Sequence, residues 1–200
     1  MRSSAVLTAA PARSGIARAP RIRTAVLGML IFVGAEVMFF AGLVSAFVIA
    51  RSHALGWPPP GQPRLPIAAT ALNTLVLLAS GGVLLSAGRA AATAFGRRRA
   101  LRRLTAAVTL GALFVAIQGV EWARLLAFGL TMRSSQYGSF FYLIVGVHAA
   151  HAVAAIAALL HARTRLALGT LSADAFAAVR VLWYFVVGVW PALYVVVYLA

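Results

Sequence analysis

Five apolar runs, each long enough to cross about 30 Å of hydrocarbon at 1.5 Å per residue, punctuate the chain. They fall at residues 25–50, 66–88, 104–130, 138–160 and 175–199. None alternates apolar and polar residues as a half-buried strand does, and a lone chain in lipid must satisfy its backbone groups internally, so all five are expected to be helices. Composition points the same way: of 200 residues, 62% are hydrophobic and 10% charged, more apolar surface than a water-soluble core of this size can hide. The expected fold class is therefore all-α, an integral membrane bundle of five transmembrane helices. Residues 1–24 read as a basic N-terminal tail and residues 25–200 as a single membrane domain without solenoid repeats.

The charges set an orientation. All 18 basic residues are arginine, against 3 acids. Such an excess can mark a nucleic-acid binder, but here the arginines lie between apolar runs and not along one soluble face, so no nucleic-acid partner is expected. Five precede the first run (Arg2, Arg13, Arg18, Arg21, Arg23) and six surround the second connection (Arg89, Arg97, Arg98, Arg99, Arg102, Arg103). Arg163, Arg165 and Arg180 flank the fourth run on its far side, whereas the first connection carries only Arg51 and Arg64. The positive-inside rule then places the N-terminus in the cytoplasm and, after five crossings, the C-terminus outside. The first 24 residues also have the Arg-, Ser- and Ala-rich, acid-free look of an organellar transit peptide; the recurrence of the arginine bias at later loops favours a cytoplasmic tail. WPPPGQP, at residues 57–63, reads as a rigid outer loop with Trp57 at headgroup level.

Polar residues inside the runs are the candidates for function. Glu36, in EVMFFAGL, lies about 16 Å from the inner end of the first helix, near mid-membrane. An ionised carboxylate there is costly, so Glu36 is expected to be neutral, paired, or turned towards protein or water. An intramembrane acid more often marks a proton or substrate path than a single structural hydrogen bond, and that reading is placed first. His148 and His151, in GVHAAHAV, are three residues apart on one helix, and His148 comes close to the depth of Glu36, which predicts a polar contact between the first and fourth helices. Metal ligation is the second reading, because a carboxylate-bridged metal centre needs more Glu and Glu-x-x-His pairs than two glutamates supply. Haem ligation ranks below it. Glu121, in IQGVEWARLL, has Gln118 and Arg124 within one turn and reads as an interfacial ion pair beside the anchor Trp122. Asn73, in LNTLVLLASGG, should bond to another helix, with Gly81, Gly82, Ser86 and Gly88 permitting close approach.

Cysteine is absent, which excludes disulfides and thiolate chemistry. There is no phosphate-cradling glycine loop followed by lysine, and no nucleophile with a base beside it, so no catalytic, cofactor-binding or metal-ligating residue is assigned and an enzyme acting alone is not expected.

EVMFFAGLVSAF, WPPPG, LNTLVLLASGG, QGVEW, YGSFFYLIVGVHAAH and WYFVVGVWPALYVVVY occur in the order and spacing of the haem-copper oxidase subunit III family, cytochrome c oxidase subunit 3. The chain resembles that family from Glu36 to Tyr198, with YGS-x-F and G-x-H-x-x-H as the most specific parts. The resemblance implies an all-helical accessory subunit that binds no haem or copper itself. It packs against a catalytic subunit I that holds both, supports proton uptake, protects against turnover inactivation and holds phospholipid. It identifies Glu36 with the family's membrane-embedded carboxylate, His148 and His151 with its paired histidines, and Gln118 and Glu121 with its Q-x-x-E positions. A bacterial inner membrane is the expected location, ahead of the mitochondrial one.

Three departures bear on the transfer. Five helices correspond to a short form of a family whose long members have seven. Trp183, Tyr184, Phe185, Val186 and Val187 stand where the family reads W-H-F-V-D, removing a His and an Asp. Pro191 inside the last run predicts a local kink. Alternative readings are an accessory subunit of a quinol oxidase or nitric oxide reductase and, from another class, a small proton-coupled transporter using Glu36 and His148; the latter should show inverted repeats and broken helices.

Overall fold

The computed structural model describes residues 24–91 and 96–199. Most of the basic N-terminal tail, with its five arginines, lies outside the described residues. Five helices follow in order: α1 (Thr24–Ser52), α2 (Ile67–Ala91), α3 (Arg97–Ala127), α4 (Gln136–Leu168) and α5 (Ala173–Tyr194), the last passing into a π-helical turn at Val195–Leu199. All five are long and apolar enough to cross a membrane, and no strand occurs among the described residues.

Helices α2, α3, α4 and α5 close a ring around the core, each packing on the next, and α2 on α5. Its centre holds Trp183, Trp190, Phe114, Phe141, Leu77, Leu84 and Leu159, all 2% exposed or less. Helix α1 lies outside this ring against α5 and α4 and buries only Phe40 and Phe47. Phe47 meets Trp57 and Phe140 edge-on, with ring centroids 5.5 and 5.9 Å apart, and Trp57 in turn meets Tyr137 at 5.3 Å. The proline-rich loop thus docks the far end of α1 onto α4 through its tryptophan.

Small residues set the helix spacing inside the ring. Ser80 Oγ of α2 donates to the Ala107 carbonyl of α3 at 2.8 Å, a bond only closely approaching backbones can make. A Cβ placed on Gly111 of α3 would lie 2.5 Å from Cη2 of Trp183, so the α5 indole lies directly on bare α3 backbone. Gly81 of α2 likewise faces Val187 of α5.

Several helix ends extend beyond the apolar runs. α3 begins at Arg97, two turns before residue 104, and α4 continues to Leu168. These turns are mostly Arg, Ala and Leu, strong helix formers that continue a helix after it has left hydrocarbon. Local chemistry fixes the ends. Ser135 Oγ accepts the Gly138 N–H at the start of α4, and Ser172 Oγ accepts the Ala175 N–H at the start of α5. Gly169, at φ +76°, ends α4, with Thr170 N–H returning to the Arg165 carbonyl at 2.9 Å.

Arginines in the first turns of α3 bind neighbouring helices. Arg103 donates to the Ser86 carbonyl near the end of α2 at 2.8 Å, and Arg97 donates to the Leu166 carbonyl at 3.0 Å and to that of Ala167 at the end of α4. Arg163 of α4 donates to Thr105 Oγ1 of α3 at 2.7 Å. A cation against the last turn of a helix, as Arg97 is against α4, interacts favourably with the helix dipole. Helix α5 runs through Pro191 to Tyr194, and the irregularity falls four residues later, where hydrogen bonding widens to the π pattern.

Gly111→Val should force the α3–α5 contact apart and lower stability by about 1–3 kcal/mol, the usual range for overpacking. Gly119→Ala, whose new methyl meets nothing within 4 Å, should leave thermal unfolding in detergent unchanged or raise it slightly. Equal behaviour of the two variants would contradict this packing.

Candidate functional site

Glu36 of α1 and His151 of α4 form a polar contact between their helices. His151 Nε2 lies 3.1 Å from Glu36 Oε2, and both side chains are about four-fifths buried. The second ring nitrogen fixes the chemistry. His151 Nδ1 sits 2.8 Å from the Val147 carbonyl, which can only accept, so Nδ1 carries a hydrogen. Nε2 and the carboxylate must then bond through one further proton, residing either on Glu36 with a neutral imidazole or on His151 with an ionised carboxylate. Both arrangements have zero net charge. This is how an acid is accommodated midway along a 29-residue apolar helix: the unit presents no uncompensated charge to hydrocarbon. Phe40, one turn along α1, and Phe185 of α5 close over His151 with ring centroids at 5.6 and 6.2 Å.

The expected contact between the first and fourth helices is present, but its histidine is His151 and not the depth-matched His148. Three residues advance an α-helix by about 300°, leaving some 60° between the two side chains. That angle turns His151 towards α1 and His148 into the ring. His148 is 1% exposed and stacks on Trp190 at 4.9 Å, with Phe114 and Phe40 each at 6.4 Å.

A second polar cluster spans α2, α3 and the end of α5. Asn73 Nδ2 donates to the Phe114 carbonyl at 3.1 Å and to Gln118 Oε1 at 3.5 Å, while Gln118 Nε2 donates to Tyr198 Oη at 3.1 Å. Trp190 Nε1 donates to Thr74 Oγ1 at 2.9 Å, and Thr74 passes its own proton to the Thr70 carbonyl. Asn73 thus makes an interhelical bond. Gln118 belongs to this cluster and not to the Glu121 pair one turn away. Glu121 receives Arg124 Nη1 at 3.0 Å, with the carboxylate largely buried and the guanidinium 65% exposed. Thr74, Trp190 and Tyr198 were not singled out from the sequence. Each looks like an ordinary span residue, and its partner lies 80 or more positions away.

The described residues contain no group of three or more His, Asp or Glu side chains that could hold a metal. The two histidines diverge, and Glu36 reaches only one of them.

The family model described as "Cytochrome c oxidase subunit III" matches residues 14–200. The "Probable cytochrome c oxidase subunit 3" of Mycobacterium leprae (strain TN) is 38% identical over 181 residues, 86% of either chain. The "Cytochrome c oxidase subunit 3" of Corynebacterium diphtheriae is 33% identical over 199 residues, covering 95% of this chain and 94% of its own. That of Ornithorhynchus anatinus is 33% identical over 180 residues, covering 86% of this chain and 67% of its own. A matched span of this extent, carried on five membrane-length helices, shows that the chain is a multi-pass membrane protein belonging to the cytochrome c oxidase subunit III family.

Proposed function

We propose that this chain is an accessory subunit, with no redox centre of its own, of a haem-copper terminal oxidase that uses cytochrome c in aerobic respiration. In this reading haem and copper reside in the catalytic subunit beside it, in a bacterial inner membrane. The observation that carries the proposal is the Glu36–His151 pair, which holds one proton at zero net charge within a helix bundle of the oxidase family. Such a pair can exchange its proton between oxygen and nitrogen without changing its net charge, which suits a subunit that supports proton uptake and turnover lifetime in its neighbour. The Asn73–Gln118–Tyr198 cluster is assigned a positioning role, locking α2, α3 and α5 together. The Glu121–Arg124 pair anchors the far end of α3.

The arginine distribution supports a cytoplasmic N-terminus. Because the natural chain contains no cysteine, single cysteines report topology directly. An impermeant thiol reagent applied to intact spheroplasts should label Ser52→Cys, at the end of α1, and spare Thr164→Cys, near the end of α4. The reverse pattern would invert the proposed orientation.

Glu36→Gln keeps an amide N–H for His151 Nε2 but cannot release it as a proton. The purified oxidase should therefore assemble normally and show several-fold fewer turnovers before inactivation, with slower proton uptake. Glu36→Ala leaves the imidazole without its partner and should also lower stability by about 1–3 kcal/mol. Unchanged assembly, turnover lifetime and proton uptake in both variants would remove the functional role assigned to this carboxylate.

A further inference from the structure

A cavity of about 410 Å³ opens between the end of α2, the end of α4 and the start of α5. Its lining includes Gly88, Leu166, Leu171, Ser172, Phe176 and Arg180, and no Asp or Glu belongs to it among the described residues. Arg180 lies about 10 Å along α5 from Ala173, at a depth where a cation without an anionic partner is costly in a bilayer.

The guanidinium is held in place but not neutralised. Phe176 and Tyr184 each present a ring 5.7 Å from its central carbon. A Cβ on Gly88 would fall 2.5 Å from Nη1, so the group occupies the space that any larger residue of α2 would fill. Nε and Nη2 reach the Tyr184 hydroxyl only at 3.4 Å, long enough to make both bonds weak. Nη1 makes no hydrogen bond and is not sealed off by protein. Among the described residues no carboxylate lies within ion-pairing distance of Arg180.

These features define what can bind. A neutral molecule would leave the charge uncompensated, whereas an oxyanion offers a guanidinium fork two acceptor oxygens at once. Ser172 Oγ accepts the Ala175 N–H, which leaves its own hydroxyl proton to donate. Arg97 donates to the carbonyl of Leu166, a residue of the wall, and adds a second cation at this end of the bundle. We propose that the cavity binds a phosphate group, carried by a membrane lipid or by a soluble anion, through Arg180 with Ser172 as a second donor. The leucines and Phe176 form the apolar part of the wall beside it.

The test uses the purified membrane complex that contains this chain. Equilibrium dialysis against radiolabelled inorganic phosphate asks whether a free ion binds. Native mass spectrometry of complex released from phosphatidylglycerol nanodiscs asks whether a lipid headgroup is retained. In one arm or the other, wild type should hold one more phosphate or one more lipid per chain than Arg180→Gln, which removes the charge and keeps a polar stem. The arm that responds names the source. Arg180→Lys, a point charge without the fork, should bind about tenfold more weakly. Equal binding by wild type and Arg180→Gln in both arms would overturn the proposal. A wild-type map decides the matter even if the variants fail to assemble: phosphate density within about 3.2 Å of Arg180 Nη1 is expected, and water alone or a carboxylate of a neighbouring subunit there would overturn it. Both measurements read occupancy and not oxidase activity, so their outcome is independent of the role proposed for Glu36.

Discussion

One proton shared by Glu36 and His151 is the constraint on which the arrangement of α1 depends. Without it, an acid near the middle of an apolar helix would face a desolvation cost that few packing contacts could offset. With it, the carboxylate requires α4 at one depth and one azimuth, because Nε2 must be presented while Nδ1 is held by the Val147 carbonyl. Helix α1 buries only Phe40 and Phe47, so apolar burial inside the subunit specifies its position weakly. Phe40 packs beside the histidine, and Phe47 joins the aromatic cluster around Trp57 further along. These two contacts and the proton-sharing pair pin the helix at three heights.

The inner ring works on a different principle. Lipid supplies no hydrophobic force between helices, so α2, α3 and α5 associate through close backbone approach and polar bonds. Gly111 beneath Trp183, Gly81 beneath Val187 and Ser80 on the Ala107 carbonyl serve the first. Asn73, Gln118, Tyr198, Thr74 and Trp190 serve the second. The arginines act at one end of the same ring by occupying carbonyls near the ends of α2 and α4. A residue type first read as a topology signal also ties helices together, and at the last turn of α4 the two roles agree because positive charge favours helix C-termini.

Much of this was legible in the sequence because length and apolarity determine which segments cross a bilayer. The helices extend beyond their apolar runs because hydropathy reports immersion in lipid, whereas a helix ends at a cap. Ser135, Gly169 and Ser172 are the caps where α4 and α5 meet their loops, and the apolar runs alone do not point to them. Depth along a helix was readable too, which brought α1 and α4 together. Azimuth was not: a 60° rotation separates His148 from His151, and only the identity of the neighbouring helices decides which of them meets Glu36. The Gln118–Tyr198 bond was invisible for a related reason, since its partners are 80 positions apart and neither marks the other locally.

The last helix shows how departures from a family pattern are absorbed. Tyr184 and Val187 stand where the resemblance leads one to expect His and Asp. Tyr184 Oη accepts from Arg180 at 3.4 Å, and the guanidinium also lies over the rings of Phe176 and Tyr184. Val187 packs its methyl groups on the bare backbone of Gly81. Both positions have become helix-packing elements, and this stretch of α5 lacks the His and Asp that the resemblance leads one to expect there. Within the five apolar runs the Glu and His side chains lie on α1, α3 and α4. The pair there conserves charge during proton movement, so the loss of the α5 residues does not strand an uncompensated carboxylate in the bilayer.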